Sequence, residues 1–342
     1  MITAGPIFLA GADASLLWNL ANLMQVFYYL LFYNIEYPQN LVEFLKIFSL
    51  GRLEFFQEPF SNWVPIDEVP QLPSSPKFYD NGVSGFFLQS ASAFLQLWCM
   101  TMLVYIPVKV VQLIRKKLNL RPIRLIEKIL ENYEWSGLLR LLFSSYFELM
   151  FSCLLQVQVL NASTFMYTIS SMLAILILVI NVGLPAFAFY LIRNTKNTSP
   201  NISKFRALFE DYDINHPTKK YFMVIILLKK LLQTLGMVFF YEIPILQILS
   251  TWLVNMILLV MLIVQRPHHR MALNFLDIII ESSFLCIHSL IVVLAWDDAT
   301  NFLDSNKEKE IGTMIIAVCC FVILIHIGII IKEQYDTIKD TL

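Results

Sequence analysis

Five charged side chains and one histidine fall inside long apolar runs of the chain: Glu148, Lys229, Lys230, Asp277, Glu281 and His288. A charge at the centre of a membrane helix costs about 3 kcal/mol on insertion scales, so each asks for a partner or a water-filled path. Asp277 and Glu281 are four residues apart and share one helix face, which His288 continues seven residues further on. Lys229 and Lys230 are adjacent and point about 100° apart, so they cannot both meet one partner. The expected arrangement pairs one lysine with Glu148 or with the Asp277/Glu281 face, while the other snorkels to the cytoplasmic surface. Two roles suit such a set: an ion pair that fixes helix register, or an ion or proton path.

Two further groups of charge lie at the ends of apolar runs. Asp297, Asp298 and Asp304 form an acidic loop that is either a loose cation-binding site or a solvated connection. Arg115, Lys116 and Lys117 interrupt Val110, Val111, Leu113, Ile114 and Leu118, and Leu125, Ile126, Ile129 and Leu130 follow Pro122. Residues 107 to 137 therefore read as a basic amphipathic helix on the inner membrane surface, with lipid headgroups as its ligand. His268 and His269 follow Arg266-Pro267 with no cysteine or other histidine near in sequence, and read as juxtamembrane surface residues rather than metal ligands.

The elements that carry these groups follow from composition. The chain has 342 residues, 57% of them hydrophobic and 15% charged, against about 25% charged in a soluble domain. A soluble globular protein is excluded. The net charge of -1 gives no reason to expect a nucleic-acid partner. Eight apolar stretches are long enough to cross about 30 Å of hydrocarbon: 14 to 33, 82 to 106, 138 to 160, 165 to 192, 221 to 241, 243 to 264, 272 to 296 and 311 to 331. Their runs are continuous rather than alternating, which favours helices over barrel strands. The fold class expected is an all-α polytopic helical bundle with a short extracellular cap and a cytoplasmic amphipathic helix. Residues 14 to 33 either span or lie in the interface, because Asn19, Asn22 and Gln25 make a polar stripe beside Trp18, Phe27, Tyr28 and Tyr29.

Orientation follows from lysine and arginine in the loops. Seven fall in 107 to 137, six in 193 to 220, two in 265 to 271 and two in the tail, so that 17 lie on one side against five on the other. This places the C-terminus in the cytoplasm. The first 50 residues carry only Lys46, which matches neither a signal peptide nor a transit peptide, and insertion by an internal span is expected. Cys99, Cys153, Cys286, Cys319 and Cys320 all lie inside spans as apolar packing residues. The glycosylation patterns at Asn161, Asn197 and Asn201 fall too near the membrane or on the inner side to be used. Residues 34 to 81 form the longest stretch outside the membrane. With Phe55, Phe56, Phe60, Trp63 and Phe78 as apolar anchors, it reads as a cap on the outer ends of the spans, too small for a core of its own.

No zinc-protease, nucleophile-elbow, phosphate-loop or dinucleotide motif occurs; no cofactor or resident metal is expected, nor enzymatic activity. No span carries Arg or Lys at every third position, and no potassium-type filter joins two spans. The order of parts therefore reads as 1 to 33, an N-terminal segment; 34 to 81, the cap; 82 to 137, a span and the basic helix; 138 to 331, the core bundle; and 332 to 342, a tail.

Residues 204 to 212 (Lys-Phe-Arg-Ala-Leu-Phe-Glu-Asp-Tyr), Tyr221, Lys229 to Leu232, Pro244 to Gln247, Gln265-Arg266-Pro267, and Asn274 through Asp277 to Glu281 together resemble the core of transient receptor potential (TRP)-like membrane modules. Tyr37 to Leu41, Phe44-Leu45, Glu134 to Gly137, and Arg140 through Tyr146 to Glu148 are similar to the C-terminal membrane region of large cysteine-rich surface proteins of ciliates. Those proteins carry a long cysteine-rich region before the membrane module, where this sequence has 13 residues before its first apolar segment. The resemblance implies a shared helical architecture in a plasma or ciliary membrane. Its name implies cation conduction, which architecture alone does not carry. The function expected is the membrane-embedded module of a surface receptor or membrane complex. Its expected partners are membrane lipids and proteins that dock on residues 34 to 81 or along the bundle, further copies of the chain included. The alternative is a TRP-like cation channel subunit with Glu148, Asp277, Glu281 and the Asp297/Asp298 loop along its path. A transporter is a third class, hinted at only by Gly183 and Pro185.

Overall fold

The structure, a computed structural model, describes residues 14–52, 76–81, 83–118, 123, 130, 137–160, 164–195, 205–209, 212–213 and 216–341. Phe55, Phe56, Phe60, Trp63, the three glycosylation patterns and most of 119–136 lie outside the described residues. The helices are α1 (Ala14–Tyr29), α2 (Gln39–Lys46), α3 (Pro76–Asp80), α4 (Phe87–Ser90), α5 (Ser92–Lys117), α6 (Leu138–Gln158), α7 (Phe165–Asn194), α8 (Arg206–Phe209), α9 (Phe222–Phe239), α10 (Pro244–Gln265), α11 (Met271–Thr300) and α12 (Ser305–Thr341). There is no strand among the described residues, and one isolated bridge joins Tyr212 to His268. The protein is an all-α polytopic bundle, and seven of its described helices are long and apolar enough to cross a membrane.

The span expected at 82 to 106 begins at Ser92, behind the short α4, and that expected at 311 to 331 lies within the longer α12; two further boundaries shift. The segment 14 to 33 forms α1, of 16 residues, and a 3-10 turn at Leu30–Phe32. At 1.5 Å per residue α1 is about 24 Å long, short of the hydrocarbon thickness. It is not an exposed surface helix, however, because Leu23, Gln25 and every residue from Phe27 to Tyr33 are buried. The second shift concerns 107 to 117, expected to begin a separate amphipathic helix. These residues continue α5 without a break, with Pro107 inside it. Proline gives up its own N–H bond and crowds the carbonyl four residues back, yet the helix continues through it.

The chain folds as two compact units. The first comprises residues 1–55, 235–266 and 270–342, and the second 56–234 and 267–269. The dividing line thus runs inside α9.

In the first unit α10 and α11 pair along their length, α12 returns beside α11, and α1 packs on α12, with Leu20 against Leu273 and Leu276 of α11 and Phe27 against Phe284. Two left-handed residues end helices here, Arg266 at φ 43° after α10 and Asn301 at φ 51° after α11. Each closes its helix by an N–H bond to a carbonyl four residues back, of Leu262 and Asp297. The buried face of α12 reads Gly312, Ile315, Cys319, Val322, His326, Ile330, the seven-residue rhythm of a helix packed along one seam.

The second unit is built around α6. Sixteen of its residues are buried, because α7, α4 and α5 all pack on it. Leu139, Phe143 and Tyr146 of α6 meet Leu184, Ala188 and Ile192 of α7, with Phe205, Leu208, Phe209 and Leu227 closing one end. At the opposite end Gln156 ties the start of α4: its Oε1 accepts from Phe87 N–H at 2.9 Å and from Ser170 Oγ at 2.9 Å. The Ser170 hydroxyl in turn accepts from Leu88 N–H at 3.3 Å. These two side chains satisfy amide donors that the first turn of a helix leaves open.

Candidate functional site

Four helices of the first unit contribute buried polar side chains whose positions along their helices fall within about a turn of one another. Asn255 stands as many residues before the end of α10 as Glu281 stands after the start of α11, so the antiparallel pair sets them level. His326 of α12 lies nearly as far from the α11–α12 turn as Glu281 does. Gln25 of α1 falls beside them, because α1 runs parallel to α11 with Phe27 against Phe284 at 5.6 Å and Tyr33 against His288. All four are buried, Gln25 at 4%, Asn255 at 1%, Glu281 at 7% and His326 at 0% exposure. A carboxylate, an imidazole and two amides on one level can exchange a proton or lend oxygens to a passing cation. They do not make a dedicated metal site: no group of three or more His, Cys, Asp or Glu that would hold an ion occurs among the described residues.

One layer further along, the polar side chains are committed to each other. The His288 ring nitrogens lie 2.6 Å from the Phe284 carbonyl (Nδ1) and 2.8 Å from Tyr33 Oη (Nε2). A carbonyl only accepts, so Nδ1 carries the proton and Nε2 accepts from the Tyr33 hydroxyl. Gln247 holds the start of the outer segment: its Oε1 accepts from Asn34 N–H at 3.0 Å and its amide donates to the Met237 carbonyl at 2.7 Å. Asn34 donates to the Tyr241 carbonyl and accepts from the Tyr241 hydroxyl.

The sequence-marked residues are distributed over both units. Asp277 and Glu281 lie on α11 of the first unit, Asp277 half-buried and Glu281 buried. Glu148 is buried on α6 of the second unit at 1% exposure. Lys229 and Lys230 are both half-buried on α9, and Lys230 Nζ donates to the Phe143 carbonyl at 2.9 Å, reaching the helix that carries Glu148. Of the expected acidic loop, Asp297 and Asp298 lie instead in the last turn of α11, where Asp297 accepts from Leu303 N–H at 2.7 Å and Asp298 from Glu36 N–H at 2.9 Å, while Asp304 is exposed at the head of α12. Arg115, Lys116 and Lys117 occupy the last turn of α5, the latter two exposed.

Three residues of the first unit's polar layer carried little weight in the sequence. Gln25 was visible only as part of a polar stripe, and Asn255 and His326 each stand alone in an apolar run. For Asn255 and His326 the signal is depth, since both fall near the middle of their helices, where a polar side chain is least tolerated. In the second unit, the stretch ending at Tyr212 meets the Pro267-His268 turn. Asp213 N–H donates to the Pro267 carbonyl at 3.0 Å, and the Tyr212 and His268 rings stack at 5.0 Å.

No family model matches the chain, and neither a curated protein nor a solved structure does. The fold defines the class: a multi-pass integral membrane protein of helical type.

Proposed function

We propose that the chain is the membrane-embedded module of a surface receptor or membrane complex, without enzymatic activity, its C-terminus in the cytoplasm and its partners docked on residues 34 to 81. The observation that carries this reading is the way the base of that segment is fastened. Asn34 is bonded to α10, Glu36 to Asp298 of α11, and Asn40 to the Lys309 carbonyl and Thr313 hydroxyl of α12. Gly312 leaves room for Pro38. A partner gripping this segment pulls on three helices at once, which is what a module that passes force or position into the membrane requires.

A second reading, a TRP-like cation channel subunit, is favoured by the level of Gln25, Asn255, Glu281 and His326. The two separate in one experiment: reconstitution of the purified chain with single-channel recording, alongside isolation of bound chains. The module reading expects silence and a partner that Gly312→Leu releases by displacing Pro38, with a contact of at least about 1,000 Å². Cation currents abolished by Glu281→Gln would replace it with the channel.

A further inference from the structure

The second unit holds an apolar recess between α5, α6 and α7. Trp98 forms one wall, Leu139 and Leu142 the floor, and Ile180, Gly183 and Phe187 the other wall, around a cavity of about 250 Å³. Two features open it. The Trp98 indole N–H donates to Ser145 Oγ at 3.4 Å, and beyond that point α5 leaves its neighbours, with Met100, Leu103, Val104 and Ile106 exposed. Gly183 contributes no side chain, and a Cβ placed there would meet nothing within 4 Å. A void of this kind forfeits the dispersion contacts of its walls, so in a bilayer hydrocarbon fills it.

The helix directions decide which lipid. α5 is antiparallel to α6, since Trp98 stands beside Ser145 and Phe87, just ahead of α5, beside Gln156. The recess lies at the start of α6, so the second half of α5 runs past it toward Lys109, Arg115, Lys116 and Lys117. From Trp98 to Lys109 the rise is about 16 Å, one leaflet's share of a core about 30 Å thick. The Arg115 to Lys117 cluster then lies in the headgroup layer. Arg140 near the start of α6 and Arg193 near the end of α7 stand at the same end. No acidic residue occurs anywhere in α5.

We propose that the recess seats one acyl chain of an anionic phospholipid whose headgroup is held by the basic end of α5. This goes beyond the receptor reading and does not depend on it. The charge count selects the headgroup: a cluster without a single carboxylate on its helix favours a net anionic lipid over a zwitterionic one.

The test uses the full chain in lipid nanodiscs. Phospholipids brominated on the acyl chain quench a tryptophan they touch, and the difference between wild type and Trp98→Phe isolates the signal of Trp98. Brominated phosphatidylglycerol is expected to quench Trp98 at a several-fold lower membrane fraction than brominated phosphatidylcholine. Gly183→Leu, which fills the recess, is expected to abolish the quenching by both. Arg115→Gln with Lys116→Gln and Lys117→Gln leaves the recess intact and removes that several-fold preference. Equal quenching by both lipids in the wild type overturns the proposal in favour of ordinary boundary lipid. Absence of quenching, with two copies cross-linked through α5, overturns it in favour of a second chain in the recess.

Discussion

The base of the outer segment in the first unit and helix α5 in the second are both peripheral, yet they are held in opposite ways. Asn34, Glu36 and Asn40 bond to three helices within a few residues, whereas α5 has its Trp98–Ser145 bond and beyond it turns Met100, Leu103, Val104 and Ile106 outward. The difference follows from the solvent. Lipid is as apolar as leucine, so apolar side chains alone give a helix no reason to prefer protein over membrane; polar ties and small residues do. Where Gln247, Asn34 and Gly312 supply them, the backbone is fixed. Where α5 turns mainly apolar side chains such as Met100, Leu103, Val104 and Ile106 outward, a recess is left beside it.

The largest effect is expected from Gln247→Leu. The substitution keeps the volume and removes three bonds, leaving Asn34 N–H and the Phe32 and Met237 carbonyls without those partners. At about 1–3 kcal/mol for each group so stranded, the loss is about 3 kcal/mol in reversible unfolding in mixed micelles. A loss below 1 kcal/mol would mean that water already reaches this layer and that the polar tie is not what fixes the outer base.

The comparison also marks what composition and spacing conveyed. Span positions were legible within a few residues from Leu138 to the end of α11, because each is a long apolar run bounded by charge. The continuity of α5 was not, since Pro107 and the basic cluster imitate a helix start. Glu281 and His288 were legible because charge in an apolar run is conspicuous. Gln25, Asn255 and His326 became a set only when the helix directions placed them on one level, and no spacing within one helix contains that information. The duties of Asp297 and Asp298 were equally hidden: a carboxylate that accepts from Leu303 N–H has the same sequence signature as one that binds an ion.

Gly236→Ala is expected to have the next largest effect. A Cβ at position 236 of α9 would clash with Ser250 Oγ and sit 3.3 Å from Ser250 Cβ of α10. That hydroxyl is engaged with the Gln247 carbonyl at 2.8 Å, so relieving the clash costs the bond. Against this stands a helix-propensity gain of up to about 1 kcal/mol. The net expectation is a loss of about 1 kcal/mol by the same unfolding measurement, with Ser250→Ala restoring most of it in the double variant. Failure of that rescue would place the constraint in the backbones rather than in the Ser250 hydroxyl.

Gly328→Ala tests the other side of the comparison and should change least. Gly328 lies on the outward part of α12 beside exposed Leu324, Ile327 and Ile331, and a Cβ there would meet nothing within 4 Å. The chain by itself therefore tolerates alanine, and propensity alone predicts a gain of a few tenths of a kcal/mol up to about 1 kcal/mol. Glycine on a membrane helix is also the residue that lets another helix approach closely. A loss of stability in the intact membrane that vanishes when the chain is extracted as a monomer would show that α12 packs against a partner helix at this position. The same gain in both settings would leave the outer face of α12 to lipid and confine the partner contacts to the outer segment.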